Sequence, residues 1–317
     1  MPSEATTWGR TVSFAAAFSV GLLSALQSRM NGGLAEAWSD PLAAAGYSFG
    51  TGFIVLTILA VTVGPVRRGV VAVVHALRAS RLRWWEVVGG LCGATFVVSQ
   101  SSVVPIVGVA AFTVGVVAGQ SANSLVVDRL GLGPRGTIAI SGARLLAAGL
   151  AVLAVVVALA GRWEAQPTPP VVPVAAAVGA GVLVAFQQAL NGRVAVESGN
   201  AVSATWLNFL MGTVMIAVLL AVTHLGRTAS SPTDGPAPWL LLGGVVGLVF
   251  IALAAWSVPR IGVLMTALLA VAGNLTSSLL LDVLLPTPGS VVNAALLVGV
   301  GLAFAAVALG ARGRSRT

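Results

Sequence analysis

The chain reads as long apolar runs separated by short polar or basic breaks. Runs of about 20 apolar residues are long enough to cross the hydrocarbon core of a bilayer as helices. Ten such runs are expected, at 11–30, 41–63, 84–104, 106–128, 138–160, 171–190, 201–224, 238–257, 260–282 and 290–311. Two pairs of neighbours are separated only by Pro105 and Pro259, and proline either ends a spanning helix or kinks it. The predicted fold class is therefore an all-α polytopic membrane protein with ten transmembrane helices.

The polar positions inside these runs recur. Gly21, Gln27, Asn31, Gly32 and Phe49 return 160 residues later as Gly181, Gln187, Asn191, Gly192 and Phe209. A second block, Gly89, Gly93, Pro105, Gly108, Gly119, Ser124 and Asp128, returns after 154 residues as Gly243, Gly247, Pro259, Gly262, Gly273, Ser278 and Asp282. Each half holds five runs, an odd number, so the second half enters the membrane from the opposite side. The expected architecture is two inverted five-helix repeats related by an axis in the membrane plane, with a substrate site where they meet. The boundaries that follow are 1–160 for the first repeat, 161–173 for a Pro-rich linker and 174–317 for the second.

Composition agrees with a lipid-facing surface. The chain is 57% hydrophobic and 8% charged, with a mean hydropathy of +0.98, whereas soluble domains carry about 25% charged residues. Every one of the 17 basic residues is arginine. With the N-terminus inside, thirteen fall at inner ends (Arg10, Arg67, Arg68, Arg78, Arg81, Arg83, Arg129, Arg135, Arg193, Arg260, Arg312, Arg314 and Arg316), three at outer ends (Arg29, Arg162 and Arg227), and Arg144 within the fifth run. By the positive-inside rule both termini are cytoplasmic. The net charge of +8 is then topogenic, and no nucleic-acid partner is expected. Without lysine there is no phosphate-binding Gly-rich loop ending in Lys, so this chain encodes no ATP-driven pump. His75 and His224 lie apart and Cys92 is single, so no metal, cofactor, internal disulfide or catalytic residue is expected.

The candidate chemistry is neutral. In Q-x-x-x-N-G the spacing of four puts Gln27 with Asn31, and Gln187 with Asn191, on one helical face. Such faces avoid lipid. Either the four amides are paired outer and inner gate elements lining the cavity, or they are interhelical hydrogen bonds, with Gly32 and Gly192 closing their helices. In the fourth run Gln120, Asn123 and Ser124 share a face, and Asn274, Ser277 and Ser278 repeat it in the ninth. These six are the candidate substrate-binding residues, suited to a small polar or amphipathic solute; the plainer reading is helix–helix bonding. Asp128 and Asp282 end the same helices and are candidate coupling carboxylates, or else interfacial charges that reach water. Glu36 and Glu197 are expected in loops, and Glu86 at the start of a span. Arg144 either snorkels to the inner surface, the default, or pairs with Asp128. The spacings Gly89-x-x-x-Gly93 and Gly243-x-x-x-Gly247 permit close helix approach. The basic stretch 66–83 is expected as a short surface helix.

The chain resembles the YdcZ-type inner-membrane exporters of the drug/metabolite transporter superfamily. The resemblance rests on G-x-x-x-x-x-Q-x-x-x-N-G from Gly21 to Gly32, F-x-x-G from Phe49 to Gly52, and A-G-Q-x-x-x-S-x-x-x-D from Ala118 to Asp128. Such proteins look like five-span units, of which this chain looks like two fused. The second half departs at Asn274 and Val283, which stand where the first has Gln120 and Arg129. The resemblance implies the drug/metabolite transporter fold, with the first, third and fourth helices of each half around a central cavity, in the inner membrane. Related cation exporters use a Glu in the first helix; Gln27 and Gln187 here argue against that exchange. The expected function is secondary transport, as an exporter, of a small polar or amphipathic metabolite or drug by alternating access. The alternatives are a passive channel or structural membrane protein, and then a membrane-embedded enzyme. The expected partners are a small-molecule substrate, the lipid bilayer and a coupling proton or cation, with the chain a monomer or homodimer.

Overall fold

The structure is a computed structural model that describes residues 4–134, 136–163, 170–224, 235–261 and 263–312. Ten α-helices account for nearly all of them: α1 (Glu4–Trp38), α2 (Pro41–Thr62), α3 (Gly64–Arg78), α4 (Gly89–Arg129), α5 (Gly142–Trp163), α6 (Val171–Ser198), α7 (Ala201–His224), α8 (Gly243–Ile261), α9 (Val263–Leu284) and α10 (Ala294–Arg312). Two 3₁₀ turns, Trp84–Val87 and Pro238–Leu242, lead into α4 and α8. Helix starts are written locally. Asp40 accepts from the N–H groups of Leu42 and Ala43 at the start of α2, and Asn200, its repeat counterpart, accepts from Val202 and Ser203 at the start of α7.

Seven helices among the described residues are long and apolar enough to cross a membrane: α1, α2, α4, α6, α7, α8 and α9. The apolar stretches of α5 and α10 are shorter, Gly142–Ala158 and Ala294–Ala306. Large apolar side chains stand outside on several helices, among them Ile54 and Ile58 of α2, Leu145 and Leu146 of α5 and Val222 of α7, as expected of a surface that lipid covers. The difference from the ten expected runs lies partly in α4, which takes in two of them. Its 41 residues would reach about 60 Å if straight, twice the hydrocarbon thickness. It is not straight. Gly108 has φ 79° and ψ 166°, a conformation open to glycine alone, and this breaks α4 into arms at 89–107 and 109–129. The break falls three residues beyond Pro105, which stays within the first arm.

Helix α3 is the expected basic helix: Val66, Gly69, Val73 and Ala76 are buried while Arg67, Arg68, His75 and Arg78 are exposed. Gly32 and Gly192 do not close their helices, since α1 runs on to Trp38 and α6 to Ser198, where Gly199 at φ 64° ends it. Their missing side chains serve packing instead: a Cβ at Gly32 would lie 2.8 Å from a Val104 methyl, and one at Gly192 2.6 Å from a Val258 methyl. Glu36 and Glu197 accordingly lie in helices rather than loops. Of the expected linker, 161–163 continue α5, 171–173 open α6, and 164–169 lie outside the described residues, as do Arg135, Arg227, Arg314 and Arg316.

The halves interlock reciprocally. Phe49 of α2 packs on Phe209 of α7, with ring centroids 4.9 Å apart. A Cβ at Gly52 would strike Phe209, and one at Gly212 would strike Phe49. Helix α1 lies against α9, where a Cβ on Gly21 would overlap the Ala270 carbonyl and one on Gly273 the Phe18 carbonyl. The same contact joins the second arm of α4 to α6, through Gly119 against Val178 and Gly181 against Val116. Helix α1 therefore packs on α9, and α6 on the second arm of α4, at backbone distance.

Candidate substrate cavity

Five helices leave space between them. Val20, Gly21 and Ser24 of α1, Phe96 and Gln120 from the two arms of α4, Gln187, Gln188 and Asn191 of α6, Phe250 and Ala254 of α8, and Val271 and Asn274 of α9 line a cavity of about 600 Å³, counting its mouth. Most of the lining is apolar. Its polar groups are amides and a hydroxyl, with no charged side chain.

The amides gather at one end for a reason that the repeat makes visible. In the first half Gln100 fills the space beside α1: its Nε2 donates to Ser28 Oγ at 2.8 Å, and its Oε1 accepts from Asn31 Nδ2 at 3.1 Å. Gln100 is wholly buried. Its counterpart in the second half is Ala254, and the counterpart of Ser28 is Gln188. With only a methyl at 254, Gln187, Gln188 and Asn191 stay open to the cavity. Gln187 and Asn191 each donate to Asn208 Oδ1 at 3.0 Å, while Gln188 Oε1 accepts from Gln120 Nε2 at 3.1 Å.

The glycine pairs accommodate these amides. A Cβ at Gly93 would collide with the Gln187 amide and one at Gly89 would lie 2.8 Å from Asn191 Oδ1. In the other half Gly247 faces Gln27 and Gly243 faces Asn31 in the same way. The two repeated motifs are thus a single cross-half contact: first-helix amides over the third-helix glycines of the other half.

The sequence-derived candidates divide accordingly. Gln120, Asn274, Gln187 and Asn191 line the cavity. Gln27 and Asn31 do not; Gln27 Nε2 donates to the Gly243 carbonyl at 3.0 Å, and Asn31 is held by Gln100. Asn123 donates to the Val182 carbonyl at 2.8 Å and Ser277 to the Leu22 carbonyl at 3.3 Å, each tying two helices together. Ser124 and Ser278 turn back on their own helices, to Ser121 and Leu275. One helical face is wide enough to be shared between a cavity and a packing contact. Gln188 and Gln100 were missed by sequence reasoning. The signal that marks Gln188 is that Gln187-Gln188 doubles the amide where the first half has Gln27-Ser28.

The two aspartates are buried rather than interfacial: Asp128 is 2% exposed and Asp282 4%. Asp282 accepts from the N–H groups of Val109 at 3.0 Å and Ala110 at 2.7 Å, and from Ser290 Oγ at 2.8 Å. It caps the second arm of α4 at the break. Asp128 pairs with Arg144, which also donates through Nη1 to the Ala139 carbonyl at 3.0 Å. Snorkelling, the default for Arg144, gives way to the ion pair because a carboxylate buried beside it supplies what water would. Glu86, itself buried, pairs with Arg193 at 2.9 Å and accepts from the Arg83 N–H. Among the described residues no three His, Cys, Asp or Glu side chains gather as a metal site would require.

A family model described as "Putative inner membrane exporter, YdcZ" matches residues 12–157 and again 172–309. The chain belongs to the YdcZ family. It is a membrane transporter protein by that membership and by its apolar helices. No curated protein matches the YdcZ-family chain. A solved crystal structure shares 19% identity over 96% of this chain and 97% of its own, with a TM-score of 0.60. At that identity the likeness speaks to the fold alone.

Proposed function

We propose that this protein is a secondary transporter that exports a small, largely apolar molecule carrying neutral polar groups, by alternating access across the interface of two inverted five-helix repeats. The observation that carries the reading is the cavity: five helices from both halves line a space of about 600 Å³, its open mouth included, whose polar side chains are uncharged. The repeat reading is supported by the family model matching twice and by the reciprocal contacts of Phe49 with Phe209 and of Gly21 and Gly273 with the facing helices. Ten crossings follow when the two arms of α4 each span, about 30 Å apiece, and α5 and α10 complete the halves.

With both termini cytoplasmic, as the arginine bias argues, Gln187, Gln188 and Asn191 lie toward the inner side and the Gln100 cluster toward the outer. In this reading Gln27, Asn31 and Gln100 act as the outer gate, and Gln187 and Asn191, which bond to Asn208, act as the inner gate. Gln120 and Asn274 hold the solute between them, with Asn123, Ser124, Ser277 and Ser278 supporting their helices. Asp128 and Asp282 hold helix ends in this reading. The protein resides in the inner membrane and works as a monomer or homodimer.

The test is a thermal-shift screen of the purified protein against metabolites and drugs, repeated with Gln120→Ala and Asn274→Ala, followed by counterflow in liposomes. Hits stabilising the wild type and lost in both variants, with trans-stimulated uptake, support the reading. Ligands indifferent to both changes move the site elsewhere. Saturable binding with flux that shows no counterflow makes the protein a channel.

A further inference from the structure

The basic residues of α3 and of the turn after it are not part of the repeat. Residues 64–83 carry Arg67, Arg68, Arg78, Arg81 and Arg83, whereas the matching stretch of the second half, 224–237, has one arginine and one aspartate. The repeated fold does not require them.

Helix α3 is fixed where three apolar helices end. Only Val63 separates it from the end of α2, α6 stops at Ser198 and α7 starts at Ala201. Ser203 Oγ donates to the Val66 carbonyl at 2.9 Å, and a Cβ at Gly69 would collide with the Ser203 hydroxyl. Because α2, α6 and α7 are each long and apolar enough to cross a membrane, α3 lies at a membrane face, at headgroup level. Packing buries Val66, Gly69, Val73 and Ala76 and turns the opposite side outward.

That side is both basic and apolar. Arg67, Val71, Val74 and Arg78 stand at i, i+4, i+7 and i+11, a single exposed stripe with Arg68 beside it. Val71 is 48% exposed, Val74 43%, and Trp84, in the turn that follows, 76%. Among the described residues Arg67, Arg68 and Arg78 have no ion pair, since Glu86 is taken by Arg193 and Glu197 by Arg81. Exposed valines between unpaired arginines suit the membrane interface, where apolar side chains enter the acyl boundary and arginines reach upward to phosphates. A guanidinium presents a planar fork that matches phosphate oxygens. A soluble acidic partner would have to displace lipid from the valines and the indole to reach the same arginines.

We propose that the exposed stripe of α3, with Trp84, is a binding surface for the headgroups of anionic phospholipids. The inference needs the chain's place in a membrane and not the export function proposed above. With both termini cytoplasmic, the headgroups are those of the inner leaflet, whose negative surface potential attracts basic segments.

The test is titration of the purified full-length protein, in one detergent, with phosphatidylglycerol and separately with phosphatidylcholine, read by thermal unfolding. Phosphatidylglycerol is expected to stabilise the wild type at the lower concentration, and its advantage to shrink in about 0.5 M salt. Arg67→Gln with Arg78→Gln should weaken the phosphatidylglycerol response about fivefold per arginine removed and leave the phosphatidylcholine response unchanged. Arg78→Gln alone keeps the test valid if the double variant does not fold. Arg10→Gln with Arg227→Gln removes the same charge outside this segment and is the control. Equal responses to the two lipids, or equal losses in variant and control, would leave these arginines as topology determinants and overturn the assignment. Stabilisation by inorganic phosphate matching that by phosphatidylglycerol would make the stripe a free-anion site and overturn it as well. Absence of counterflow with the phosphatidylglycerol preference intact would instead defeat the transport reading and leave the lipid surface standing.

Discussion

Asp282 offers the sharpest test of how the broken helix is held. Its carboxylate accepts two backbone N–H groups at the start of the second arm of α4, Val109 at 3.0 Å and Ala110 at 2.7 Å, and the hydroxyl of Ser290 at 2.8 Å. Gly108 at φ 79° removes the carbonyls that would otherwise have served those donors. Losing an ordinary N-cap costs about 0.5–2 kcal/mol. Here water does not replace it readily, because Asp282 is 4% exposed. Two orphaned buried donors at about 1–3 kcal/mol each give about 2–6 kcal/mol for Asp282→Ala. Asp282→Asn keeps one acceptor oxygen and gives up the favourable charge at the helix start, worth about 0.3–1 kcal/mol, so it should recover somewhat less than half of the loss. The assay is equilibrium unfolding of both variants in one detergent, with counterflow measured on whatever remains folded. A loss below about 1 kcal/mol for Asp282→Ala would refute the capping argument. Full stability of Asp282→Asn with abolished transport would return Asp282 to the role of a coupling carboxylate.

Three further outcomes follow from the same contacts. Gly21→Ala and Gly119→Ala each drive a Cβ into a backbone carbonyl across the α1–α9 and α4–α6 contacts; each should cost about 1–3 kcal/mol in thermal or denaturant unfolding, and Gly149→Ala, where nothing lies within 4 Å, should not destabilise. Arg144→Leu breaks the buried pair with Asp128 and should cost about 3–5 kcal/mol, whereas Arg144→Leu with Asp128→Leu should recover part of it; equal losses in the single and double variants would mean that the pair is not coupled. Ala254→Gln places on the second half the side chain that seals the first. It should abolish ligand-induced stabilisation while leaving the unliganded protein within about 1 kcal/mol of wild type, and undiminished binding would show that the cavity beside Gln188 is not the site.

Much of this was legible in the chain because hydrophobic length and repeated residues survive without knowledge of contacts. The apolar runs anticipated where the long helices lie, although α4 takes in two of them. Periodicity states which residues share a face of a helix; it does not state which neighbour that face meets. Gln120, Asn123 and Ser124 share a face, yet only the first reaches the cavity while Asn123 bonds across to α6. The motifs Gln-x-x-x-Asn-Gly and Gly-x-x-x-Gly were visible separately, and their meeting across the halves was not, because each glycine's partner lies more than 90 residues away in the sequence. The aspartates looked interfacial for the same reason: a carboxylate at a helix end reaches water unless another chain segment covers it, and here the break at Gly108 and the side chain of Arg144 do.

The departures from the repeat are what make the two polar clusters unequal. Two halves with identical side chains would build identical polar clusters at both ends, and neither side would be favoured to open. Gln100 against Ala254, Ser28 against Gln188, and Ser48 against Asn208 remove that equivalence. The first-half cluster is closed by Gln100, which bonds to both Ser28 and Asn31. The second-half cluster hangs Gln187 and Asn191 from one carbonyl oxygen of Asn208, with Gln188 left to Gln120. In the transport reading proposed above, a solute that bonds to Gln120 would compete directly for the single hydrogen bond from Gln120 to Gln188 and would free the Gln188 amide.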